Sequence, residues 1–175
     1  MKQLTRSLRV VAALFAMVLG FTAPVMAADQ LAARLRGLEE APPISTAAQG
    51  FFLGTLNASG TAMDYTVVYF DLQGAITQSH IHVGQAGVNG GIVLFLCTNL
   101  APPAGVPAPP PCPSGPGTNA VNGTLTAANV ITQAGQLIAA GEFAEVIRIM
   151  RAGGSYANVH TDQAPGGEIR GQITQ

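Results

Sequence analysis

Three histidines are all this chain has, and each lies in a patterned segment. Two stand in Ser79-His80-Ile81-His82-Val83-Gly84 and the third in Asn158-Val159-His160-Thr161-Asp162. In an extended strand, side chains two residues apart point to the same side, so His80 and His82 project together as a pair of imidazoles. Neutral imidazole nitrogen suits copper and zinc, and this spacing is a metal-ligand geometry. The same residues have a plainer reading. Polar groups inside a β-rich fold must find hydrogen-bond partners, and histidines that do so knit strands together.

Other chemistry finds less support. Asp162 follows His160 by two residues and shares its face, where it could orient the ring, but no G-x-S-x-G turn or other nucleophile signature accompanies the pair. No catalytic residue is assigned. Gly84, Gly87, Gly90 and Gly91 are followed by neither a lysine nor a helix start, as a phosphate loop would need. They read as turn glycines.

The elements that must carry these residues are mostly strands. Glycine and proline are abundant, 21 and 12 residues, and charged residues are only 10%, a composition that suits many turns and short strands. Strands are expected over residues 50–57, 63–70, 76–83, 92–96, 123–130, 156–161 and 168–174. Parity in the third places Ile76, Gln78, His80 and His82 on one face. The continuous apolar run Ile92-Val93-Leu94-Phe95-Leu96 predicts a central strand buried on both faces. Phe143, Val146, Ile147 and Met150 recur at i, i+3, i+4 and i+7, predicting one short amphipathic helix ended by Gly153-Gly154. The expected fold is all-β, a Greek-key-like antiparallel β-sandwich of about seven strands with one short helix.

Lys2, Arg6 and Arg9 precede an apolar run from Val10 to Phe21, and small residues stand at Val25 and Ala27. Residues 1–27 read as a secretory signal peptide, with the run too short for a membrane span. The remaining residues, 28–175, are expected to form a single domain without a membrane span, periplasmic or secreted. They carry five arginines against nine acids, a net charge of about −4, which argues against nucleic acid as a partner. In an oxidising compartment Cys97 and Cys112 are expected to pair. The stretch 97–117 between and beyond them holds eight of the twelve prolines and reads as a stiff surface loop closed by that disulfide.

Four segments together resemble the chordin-type (CHRD) domain: Ala41-Pro42-Pro43-Ile44-Ser45-Thr46-Ala47-Ala48-Gln49-Gly50; Ser79 to Gly90; Tyr156-Ala157-Asn158-Val159-His160-Thr161; and Pro165-Gly166-Gly167-Glu168-Ile169-Arg170-Gly171-Gln172. The resemblance spans residues 30–175 and departs from the family pattern at the proline-rich insertion. It implies an exported, non-enzymatic binding or structural module in a bacterial setting, its partner an unnamed protein or extracellular ligand. A fainter similarity, carried by His80, His82 and His160, is to copper/zinc superoxide dismutases. It implies the alternative of a copper or zinc site at these three residues. If the hairpin loop 162–167 is in register, Asn158 faces Arg170 and His160 faces Glu168. Glu168 and Asp162 are then candidates to support the ring from behind the ligand set.

Overall fold

The computed structural model describes residues 29–175; residues 1–27, read as a signal peptide, lie outside them. Among the described residues there are eight strands: β1 (Gln30–Arg36), β2 (Gln49–Leu56), β3 (Ala62–Phe70), β4 (Ile76–Val83), β5 (Gly91–Thr98), β6 (Asn119–Thr126), β7 (Ser155–Thr161) and β8 (Ile169–Gln172). One helix, α1 (Phe143–Arg151), precedes β7. The fold is all-β and antiparallel with a single α-helix, as composition and periodicity predict.

The strands form one sheet in the order β5-β4-β7-β8-β1-β2-β3-β6. The sheet coils until its two end strands, β5 and β6, approach each other, giving a nearly closed barrel whose opposing walls enclose one apolar core. Leu35, Phe52, Val67, Ile81, Leu94 and Ile169 belong to that core, and Phe143, Val146, Ile147 and Met150 of α1 join it. All four apolar positions of the helix are therefore buried, as their spacing requires.

The closing seam depends on a tyrosine and a glycine. Tyr65 of β3 is buried, and its hydroxyl donates to the Leu96 carbonyl of β5 at 2.5 Å. To reach β5 the ring passes over Gly123 of β6, its cross-strand partner. A Cβ at Gly123 would meet the Tyr65 hydroxyl and ring at 2.6–2.8 Å, inside the contact distance of carbon atoms.

Three expectations need correction. The strand expected over 123–130 lies four residues earlier, as β6, and Ala127–Asn129 form a short 3-10 turn after it. The segment Gln30–Arg36 is not among the expected strands, yet it is a strand paired along its length with β2. Its Leu31, Ala33 and Leu35 alternate inward; alanine and arginine are weak strand formers, and pairing overrides that preference. The apolar run at 92–96 is not a central strand, because β5 lies at one end of the sheet order. Its register against β4 slips twice, leaving Val93 and Leu96 without opposite partners. These bulges let Val93, Leu94 and Leu96 all become buried, although simple alternation would send some outward.

The Cys97–Cys112 disulfide closes the base of the proline-rich segment. Asn99 clamps the same place, its amide donating to the Cys112 carbonyl at 3.0 Å and accepting the Cys112 N–H at 2.9 Å. Tyr69 donates to the Pro113 carbonyl at 2.5 Å, tying the loop to β3.

Candidate functional site

Residues directly opposite in a sheet point to the same side, so the pairing register shows where the histidines face. Exposed Arg36 of β1 pairs with Arg170 of β8, Arg170 with Asn158 of β7, Asn158 with His80 of β4, and His80 with Phe95 of β5. This row lies on the outer face of the sheet, away from the apolar core. His82 pairs with Tyr156 in the next row and Gln78 with His160 in the row on the other side, so the three histidines gather on one patch. Ile76 shares their parity in sequence but belongs to the core; a register irregularity between Ile76 and Gln78 separates it from them.

An outer face would ordinarily be wet, yet His80 is 2% exposed, and His82 and His160 are 8% exposed. Loops cover them. The turn at 84–90 brings the Gly90 carbonyl to within 3.0 Å of His82 Nδ1. Only glycine fits at 90, since a Cβ there would lie 1.6 Å from the Val83 carbonyl oxygen. The 162–167 loop brings the Pro165 carbonyl to within 3.0 Å of His160 Nδ1.

These contacts assign the protons. A carbonyl oxygen only accepts, so His82 and His160 both donate from Nδ1, leaving each Nε2 as an acceptor. His160 Nε2 lies 3.1 Å from His80 Nδ1, which makes His80 the donor there, engages the His160 lone pair and leaves the Nε2 atoms of His80 and His82 bare. Burial favours these neutral forms. It pushes His80 down to about 2, with repulsion from His160 and His82 adding to the effect. It pushes His82 down to about 4, partly opposed by the bond to Gly90, and lowers His160 against the bond to Pro165.

His80 Nε2, His82 Nε2 and Asn158 Oδ1 are buried with no hydrogen-bond partner among the described residues. Acceptors left this way are costly unless a donor or a cation reaches them. One nitrogen from each histidine lies within 4.8 Å of the others. Two nitrogens on one tetrahedral ion with bonds of about 2.0–2.1 Å stand roughly 3.3 Å apart. His80 Nδ1 carries the proton of the 3.1 Å contact, so that pair is a hydrogen bond and not two free ligand atoms, and nitrogens as far as 4.8 Å apart must draw in by about 1.5 Å to share an ion.

The residues expected behind His160 serve other purposes. The hairpin register does pair Asn158 with Arg170, but Glu168 turns away from the ring. Its carboxylate accepts from Thr46 Oγ1, the Gln73 N–H and Thr161 Oγ1, each at 2.8 Å. Asp162 accepts the Ala75 N–H at 2.8 Å. Both carboxylates pin loops, and Pro165 takes the ring proton that they were expected to receive.

Sequence reasoning did not single out Arg170, Tyr156 or Glu40. Arg170 is 1% exposed and donates to Asn89 Oδ1 at 3.2 Å, the Gln85 carbonyl at 2.9 Å and the Val88 carbonyl at 2.8 Å. It thereby anchors the turn that covers His82. Its guanidinium lies 3.3 Å from the centre of the Tyr156 ring, and that ring stacks on His82 at 4.7 Å with planes 3° apart. Buried Glu40 stands within Coulombic reach of Arg170. The available signal was strand parity, which places Tyr156, Asn158 and Arg170 on the histidine face once β4, β7 and β8 are neighbours.

An antiparallel β-barrel with a buried polar patch on its outer wall, roofed by loops that buried side chains anchor, is the class of protein this arrangement defines. The chain belongs to the CHRD domain family, whose model matches residues 31–173. Searches of curated proteins and of solved structures return no match.

Proposed function

We propose that this chain is an exported, non-enzymatic module, a single CHRD-type domain over residues 28–175 that serves binding or structural support in the periplasm or outside the cell. The observation that supports this best is how the buried polar residues are used. Arg170, Glu168 and the Nδ1 atoms of His82 and His160 each hold a loop against the sheet, the work of a rigid scaffold. The Cys97–Cys112 disulfide fits an oxidising compartment, and the N-terminal pattern supplies the means of export. Cell fractionation with intact-mass analysis tests the proposal. The expected product lies outside the cytoplasm and begins at Ala28; a cytoplasmic protein retaining residues 1–27 would overturn it.

A second reading, a copper- or zinc-binding protein using His80, His82 and His160, is favoured by the partnerless Nε2 atoms of His80 and His82 and by the closeness of His160, whose Nε2 accepts from His80 Nδ1. Two of the three rings have Nδ1 held by a carbonyl, an arrangement that orients histidine ligands and raises their basicity. Calorimetric titration of wild type and His82→Gln with each metal tests this reading. One-to-one binding that weakens at least about tenfold in the variant is expected, and equal weak binding by both proteins would sink it. Superoxide dismutation by copper-loaded protein separates redox catalysis from storage or scaffolding.

A further inference from the structure

We propose that the three-histidine pocket selects a monovalent cuprous ion over divalent zinc, an inference that rests on the metal reading above. The donor set is neutral. Each histidine carries one proton; the Nε2 lone pairs of His80 and His82 are free, and that of His160 accepts from His80 Nδ1 and would exchange that bond for the ion. The nearest acidic candidates are engaged elsewhere, Glu168 with Thr46, Gln73 and Thr161, and Asp162 with Ala75. Both cysteines are joined in the disulfide. No anion among these groups stands ready to offset the charge of a bound ion.

In such a setting the ion's own charge decides. The cost of moving an ion from water into weakly polarisable surroundings grows with the square of its charge, so a dication loses about four times as much as a monocation of similar size. The rings that would receive it are nearly shut off from solvent. A fixed cation strengthens the bias, because Arg170 lies on the Tyr156 ring and that ring stacks on His82. Its repulsion is twice as large for a doubly charged ion. Glu40, the carboxyl group within reach of Arg170, is raised by burial to about 7 and so offsets that charge only in part near neutral pH.

Coordination number points the same way. Zinc in proteins takes four ligands, and a three-histidine zinc site keeps water or substrate in the fourth place. Cuprous copper, a filled-shell monocation, is satisfied by three nitrogen donors. The neutral amide oxygen of Asn158, buried and without a partner on the residue directly across the ladder from His80, is a further donor at this patch, and it brings no charge.

Competition titrations of the purified protein test this, using a chromogenic cuprous chelator under anaerobic ascorbate and a chromogenic zinc chelator. One cuprous ion per chain is expected, bound at least about a hundredfold more tightly than zinc. X-ray absorption at the copper edge of wild type should show a three-coordinate cuprous ion with nitrogen neighbours alone. Sulfur neighbours would place the copper on methionine and overturn the proposal. Zinc binding as tight as copper or tighter would overturn the selectivity while leaving the metal site standing. Failure of both metals to bind would remove the site together with the selectivity. Asn158→Asp, with its fold checked by circular dichroism, should narrow the preference toward zinc by at least about tenfold; an unchanged ratio in a folded variant would overturn the charge argument.

Discussion

Buried titratable residues on the outer face set how this protein responds to pH. Burial raises the Glu40 carboxyl to about 7, with attraction to Arg170 opposing the shift, and one of its oxygens is buried without a partner among the described residues. The unfolded chain releases that proton near the ordinary value of 4.5. Between these values the folded protein holds a proton that the unfolded chain has lost, so stability falls as pH rises through the window. Glu40→Gln removes the loss. Its stability relative to wild type should rise between pH 4.5 and 8, by roughly 1–3 kcal/mol, as read from urea midpoints; a constant difference would contradict the assignment. The histidines act with the opposite sign, since burial lowers all three. Their contribution is complete above pH 6.5 and is lost as pH falls toward 4. Three such groups outweigh Glu40, each contributing up to about 1.4 kcal/mol per pH unit. Metal-free protein should therefore lose urea stability between pH 7 and 5, and a flat profile would count against neutral buried rings. The pairing of His80 with His82 was readable from strand parity. The partners of Glu168 and Asp162 were not, because all but Thr161 are backbone and hydroxyl groups from residues 46, 73 and 75, remote along the chain.

Elements were readable where periodicity was strong. The α1 stripe and strands β2, β3, β4 and β7 fall within a residue or so of expectation because their patterns match the burial each element receives. β1 was missed because alanine and arginine carry little strand preference and its partner supplies the reason to extend. β5 was misplaced because its bulges turn an alternating surface into a continuous apolar run. The seam gives a diagnostic test. In most strands Gly→Ala stabilises modestly, since glycine weakens a strand interior. At Gly123 the new methyl would meet Tyr65 and disturb its bond to Leu96. Gly123→Ala should destabilise by roughly 1–3 kcal/mol in denaturant unfolding; a neutral or stabilising result would mean that the ring can move aside.

At the scale of the molecule, the disulfide limits the freedom of the proline-rich segment in the unfolded chain. With a sequence separation of 15, loop-closure entropy predicts a loss of about 3 kcal/mol when both cysteines become serine. Unfolding of Cys97→Ser/Cys112→Ser in urea measures it. A loss well under 1 kcal/mol would show that Asn99 and Tyr69 already hold the loop without the bond.

Composition, turn density and local period were enough for an all-β chain with one helix, and family-specific segments were enough for the CHRD assignment, because these depend on neighbours a few residues apart. Strand order, the outward direction of the histidine patch, the protons on its rings and the arginine behind it arise only when β4, β7 and β8 lie side by side beneath their loops. Charges and lone pairs acquire their energies from what surrounds them, and here the surroundings come from residues up to about 120 positions away, as in the Thr46–Glu168 contact.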